Sequence, residues 1–182
     1  MKLGYILSHE RGETDPVLAR IVHQLTDHGL RICGTVQINA APVDGLKCNM
    51  DLQLLPDGEV IRISQNRGKL ARGCRLDTHS LETAVAEVAA RLAFGADLLV
   101  INKFGKHEAE GRGFRSVIAS ALERDIPVLV GLNALNREAF DRFSGGLATG
   151  LDADCAAILD WAGLRDAGDR RPALALIGGA SA

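Results

Sequence analysis

Cations, a carboxamide and glycines crowd into one short stretch of this 182-residue chain: Asn102, Lys103, Gly105, Lys106, Gly111, Arg112 and Gly113 follow directly on the apolar run Leu98-Leu99-Val100-Ile101. A short apolar run with β-branched members, bounded by turn residues, reads as a strand buried on both faces. Such strands belong to parallel sheets, whose ligands sit in the crevice outside the strand C-termini. Ammonium and guanidinium groups, an amide and the free N–H groups opening the next helix hold anions by charge and by hydrogen bonds. The pattern therefore assigns Asn102, Lys103, Lys106, Gly111 and Arg112 to a site for a small oxyanion, without a metal. A nucleotide hydrolase keeps acidic residues here to hold magnesium, and Asn102-Lys103 stands in their place.

A second polar cluster occupies residues 64–77, where Ser64, Arg67, Lys69, Arg72, Cys74 and Arg75 lie among glycines and amides. It reads either as an anion nest to which Ser64, Arg72, Cys74 and Arg75 contribute, or as a solvated basic loop whose Arg75 pairs with a carboxylate. Beside Arg75, the Cys74 thiol would ionise more readily than a free cysteine. The loop after the first apolar run, residues 8–15, carries one glycine and the acids Glu10, Glu13 and Asp15. No GxxxxGK[ST] stretch occurs anywhere in the chain, so the cradle that holds a triphosphate is missing. His9 and His107 fall in loops at the same predicted edge and are candidate proton donors. Cys33 and Cys155 read as core thiols, whereas Cys48 and Cys74 flank a predicted hairpin and could meet.

These residues need a scaffold, and the apolar periodicity supplies one. Residues 3–7 and 31–38 read as strands around a helix whose start is signalled by Asp15-Pro16 and whose end by Gly29. Residues 46–65 alternate apolar and polar about Pro56-Asp57-Gly58, an antiparallel hairpin inserted into the strand–helix alternation. Helices follow with Ser80 as cap, over 111–124, and over 136–143 and 153–162, with fully apolar strands at 97–101 and 126–130 between them. The expected architecture is α/β and three-layered: a mostly parallel sheet, helices on both faces and an inserted hairpin. One domain is expected over residues 1–164, with 165–182 a poorly ordered tail.

Bulk properties narrow the partners. A net charge of -2 and 4% aromatic residues argue against nucleic acid, through both missing field and missing stacking surfaces. No stretch approaches the roughly 20 apolar residues of a membrane span, and the N-terminal run is too short for a signal peptide, so a cytoplasmic location is expected.

Residues 102–113, with Cys74-Arg75-Leu76-Asp77 upstream and Ile126-Pro127-Val128-Leu129 downstream, resemble the bacterial family catalogued as domain of unknown function 2478, from about residue 2 to residue 160. That resemblance implies a role in molybdenum metabolism, with molybdate as the ligand and a molybdate transporter or cofactor-pathway protein as partner. More distantly, the order of elements is similar to the small P-loop nucleoside triphosphatases of the thermophilic-ATPase kind. There the later strand ends in an acidic pair followed by Ile-Gly-Lys; here Asn102-Lys103 replaces the pair while Gly105-Lys106 remains. The resemblance implies a P-loop-type fold with its catalytic parts missing. Two other readings stand beside oxyanion binding. One is a divergent nucleotide-dependent enzyme drawing metal ligands from Asp51 or Glu108; the other is a dimeric adaptor. If Lys103 and Lys106 bind an oxyanion, replacing either by Ala should weaken binding roughly 10- to 150-fold, with stability almost unchanged.

Overall fold

A computed structural model describes residues 1–8, 12–40, 49–65 and 75–165. The expected tail from residue 166 onward, together with His9, Cys48, Arg72 and Cys74, lies outside the described residues. Leu3–Ser8 forms β1 and Thr14–Asp27 forms α1, whose Leu18, Ile21, Val22 and Leu25 recur at helical spacing and are buried. Gly29 follows the helix in the left-handed conformation, at φ 77°. The helix begins earlier than the Asp-Pro signal indicates. Glu13 is its N-cap, and Asp15 lies inside the first turn, because its carboxylate is engaged by side chains at the ends of two strands.

Ile32–Ala40 forms β2. Asn49–Leu54 (β3) and Val60–Arg62 (β4) make the expected hairpin, antiparallel to each other and to β2. Thr78–Ala93 forms α2. Its cap is Asp77 rather than Ser80: the chain arrives extended from a Ser64–Leu76 bridge, and the Asp77 carboxylate accepts the N–H groups of His79 and Ser80. Leu98–Ile101 forms β5. The helix expected over 111–124 starts later, as Arg115–Glu123 (α4), and a separate short turn of helix, Lys106–Ala109 (α3), precedes it. Gly111 and Gly113, both at positive φ, turn the chain between them. Val128–Asn133 (β6), Arg137–Ser144 (α5), Thr149–Gly150 (β7) and Cys155–Ala162 (α6) follow. With two exposed residues and no apolar run, β7 leaves no trace in the periodicity.

The sheet has seven strands in the order β4-β3-β2-β5-β6-β1-β7. From β2 to β7 every neighbouring pair is parallel, so the architecture is the expected mostly parallel α/β sheet with an antiparallel hairpin at one side. Alternate residues of β5 divide the core. Leu98 and Val100 pack with α1 and α6 through Leu18, Leu25 and Ile158. Leu99 and Ile101 pack with α2, α4 and α5 through Val88, Ile118 and Phe140. Cys33 is buried on that second face, where desolvation pushes its thiol up. Cys155 is only partly buried, packed against the first.

Where β2 meets β5, Gly34 adopts φ 122°, and a Cβ there would stand 1.9 Å from the Val100 carbonyl oxygen. Only glycine allows the two strands to approach this closely. Gly34→Ala is expected to lower stability by at least about 2 kcal/mol, since backbone strain and a main-chain clash coincide. Chemical denaturation against wild type checks this, and an unchanged midpoint would count against the close approach.

Candidate functional site

Beyond the end of β5 the chain stays anchored to its neighbours. The Asn102 N–H donates to the Thr35 carbonyl of β2 (3.1 Å) and the Phe104 N–H to the Gly131 carbonyl of β6 (3.0 Å). Phe104 is fully buried, edge-on to Phe140 with ring centroids 5.1 Å apart. Between these anchors Lys103 reaches toward the start of α1, where its ammonium donates to both Asp15 carboxylate oxygens at 3.2 and 3.4 Å. The Asp15 side chain is only 3% exposed. It also accepts from the Asn102 amide (3.1 Å) and the Asn39 amide (2.6 Å), and Gln37 in turn donates to the Asn39 carbonyl oxygen. A buried carboxylate persists where charge and hydrogen bonds compensate its lost hydration, and here three side chains do so.

A second buried carboxylate organises the segment that follows. Glu108 accepts the Gly105 N–H on one oxygen (2.9 Å) and the Phe114 N–H on the other (3.1 Å). The amides expected to be free for a ligand at the start of the later helix are thus partly filled from within: Glu108 takes Phe114, and Glu82 takes Gly113 at 3.3 Å. Gly113 is required by this arrangement, because a Cβ there would lie 2.2 Å from a Glu108 oxygen. Lys106 and Arg112 project from either side of this turn onto one carboxylate, Glu110. Lys106 stands 3.6 Å away and Arg112 pairs with it directly. Hydrogen bonding from Arg112, with Lys106 adding its charge, holds the Glu110 carboxyl below its ordinary value.

These groups border a cleft of about 640 Å³ at the C-terminal edge of the parallel strands. Its lining combines the polar Asn102, Lys103, Lys106, His107, Glu110 and Arg112 with the apolar Met50, Leu52, Ile63, Leu76, Leu81 and Phe114, and Gln37 and Thr78 also reach it. An adjoining cleft of similar size is lined by His79, Glu82, Gly111, Gly113 and Ser116, and shares Thr78, His107 and Arg112. The structure therefore brings Asn102, Lys103, Lys106 and Arg112 together and places Gly111 next door. Ser64 and Arg75 do not line either cleft. The Ser64 hydroxyl is buried and accepts the Met50 N–H (3.0 Å), while the Arg75 Nε donates to the Gln65 carbonyl (3.1 Å). The two carboxylates considered as metal ligands are engaged elsewhere, Asp51 with Arg62 at 3.0 Å and Glu108 with backbone amides. Among the described residues no cluster of three His, Cys, Asp or Glu is placed to hold a metal.

Asn39 and Gln37 are absent from the expected site, and Asp15 is expected only as a loop acid and helix-start signal. The available signal is Thr35, Gln37 and Asn39 alternating on one face of β2, a pattern that predicts polar partners at that strand's end. The cations, too, are each matched: Lys103 by Asp15, and Lys106 and Arg112 by Glu110.

The mostly parallel sheet flanked by helices, with polar groups at this edge, has a solved counterpart. A solved structure titled a human cancer-related nucleoside triphosphatase superposes with a TM-score of 0.58, covering 94% of this chain and all of that one at 16% identity. The chain belongs to the family described as "Protein of unknown function (DUF2478)", whose model matches residues 3–161. It is also 37% identical over 160 residues to the Molybdenum import ATP-binding protein ModC 2 of Bradyrhizobium diazoefficiens. That match covers 88% of this chain but only 18% of the relative's length. No helix among the described residues is long and apolar enough to cross a membrane.

The geometry alters the stability expected of one variant. Losing Lys103 strands the Asp15 carboxylate in the core rather than relieving crowding among cations. Lys103→Met is expected to cost about 2–3 kcal/mol, less than the about 3–5 kcal/mol of a wholly buried pair because the Lys103 side chain is 26% exposed. The Asp15→Asn/Lys103→Met double variant should regain most of that loss, measured by urea denaturation; equal losses in single and double variants would rule out the coupling.

Proposed function

We propose that the protein binds a small oxyanion, with molybdate the leading candidate, in the cleft at the C-terminal edge of its sheet, and that it does so without hydrolysing a nucleotide. The observation that carries this reading is the convergence of Lys106 and Arg112 on the two oxygens of Glu110. Two cations are already arranged around a pair of oxygens, and the carboxylate between them is exposed enough to yield its place. Exposed ion pairs are weak, so an incoming oxyanion exchanges one set of contacts for another at little cost. His107 and Asn102 border the same space. The choice of molybdate rests on the family and on the relative whose name places it in molybdenum import.

Hydrolysis is disfavoured on physical grounds. The start of α1, where this fold otherwise keeps a lysine and a ring of amides for phosphates, carries Glu13 and a buried Asp15. A triphosphate would meet negative charge there. The end of β5, where an acid would hold magnesium, carries Asn102 and Lys103.

A second reading is supported by the length relation to the curated relative. The likeness occupies under a fifth of a longer protein described as an ATP-binding import component. This chain would then serve such a component as a separate adaptor on the cytoplasmic face, alone or as a homo-oligomer.

Calorimetric titration of molybdate, tungstate, sulfate and phosphate tests the first reading. Lys106→Ala is expected to weaken binding at least about 10-fold while the melting temperature stays within a degree or so of wild type. Absence of heat with all four anions, or equal affinity in both proteins, would leave the adaptor reading. A companion measurement of phosphate release from ATP and GTP is expected to stay far below ordinary turnover of roughly 1 per second; release at that rate, abolished by Lys106→Ala, would restore the enzyme reading.

A further inference from the structure

The cleft is much larger than a bare oxyanion requires. Five heavy atoms, at roughly a water's share of 30 Å³ each, fill no more than about 150 Å³, whereas the cleft holds about 640 Å³. That volume falls in the range of about 300–1,000 Å³ typical of pockets enclosing whole organic ligands. Its lining is also part cationic and part apolar. Lys106 and Arg112 stand on the α3–α4 side, while Met50 and Leu76, both only partly buried, face the cleft from the hairpin and the strand before α2. A hydrated inorganic ion gains nothing from the apolar lining. An organic ring does, by removing that surface from water.

Charge limits what the ring can carry. Lys103 is matched by Asp15, and Lys106 and Arg112 share Glu110, while Glu108 is taken up by backbone amides. Only Glu110 lies between cations at an exposed position, so displacing it frees two positive charges and no more. A single phosphate-type group suits that surplus, and a triphosphate exceeds it.

From the volume, the mixed cationic and apolar lining and the single displaceable carboxylate, we infer that the ligand is an oxyanion carried on a planar organic ring, of the ring-bearing monophosphate class. Its anionic end takes the place of the Glu110 carboxylate between Lys106 and Arg112, and its ring lies against Met50 and Leu76. The inference rests on the oxyanion reading of the same cleft and adds the organic body. It also sets the site apart from the start of α1, since neither Thr14 nor Asp15 lines the cleft.

Titration of AMP, GMP and flavin mononucleotide against inorganic phosphate and molybdate tests it in the full chain. At least one ring-bearing monophosphate is expected to bind 10-fold or more tightly than inorganic phosphate. Met50→Gln and Leu76→Asn, each in a separate protein, should erase that advantage while leaving the inorganic anions unaffected. Glu110→Gln, which removes the internal competitor, should tighten the ring-bearing ligand several-fold. If all three ring-bearing probes bind no better than inorganic phosphate, the organic ligand is overturned and the oxyanion reading survives. If neither class binds, both fall.

Discussion

The carboxylate of Asp15 is the constraint around which this edge of the molecule is arranged. Removed from water in the first turn of α1, it demands a counter-charge and hydrogen-bond donors close by. Asn39 at the end of β2 and Asn102 and Lys103 beyond β5 supply them. One side chain thus ties the start of a helix to the ends of two strands. It also dictates the path that follows: Lys103 reaches Asp15, the next residue, Phe104, turns into the core against Phe140, and α3 begins two residues later. Glu108 then repeats the device with backbone amides as its donors. Two buried carboxylates, satisfied differently, carry the polar lining of the cleft.

Where a phosphate-binding loop has a lysine at the start of its first helix and an acid at the end of a later strand, this chain has Asp15 and Lys103, whose side chains meet 3.2 Å apart. The positive end of α1 is thereby turned toward a carboxylate of its own chain. The remaining cations, Lys106 and Arg112, line the same cleft as Lys103 and share Glu110.

Much of the scaffold could be read from periodicity, because a β-strand buried on both faces and an amphipathic helix leave different apolar spacings. The β5 run, the α1 stripe and the hairpin around Pro56-Asp57-Gly58 are cases of this. What failed were positions where a polar side chain had two uses. Asp15 before Pro16 is a helix-start signal, and nothing local reveals that a lysine 88 residues away engages it. Ser80 was the nearest capping residue, but the bridge between Ser64 and Leu76 delivers Asp77 to that role. The cation cluster at 103–112 was visible as composition. That each cation has a carboxylate partner was not, since Glu108 and Glu110 sit in the same string and only geometry separates the one bound to amides from the one bound to cations. The apolar lining of the cleft was hidden for another reason: Met50 and Leu76 come from segments far from Lys106 in the chain and meet it only through the sheet.

Both described margins of the sheet are short. β4 offers three residues, among them Arg62 held by Asp51, and β7 offers two. Unpaired strand edges are templates on which a further chain can add, and brief or charged edges blunt that tendency. Among the described residues neither margin presents a ladder long enough to be copied, so the described sheet offers a neighbouring chain little unpaired backbone to extend.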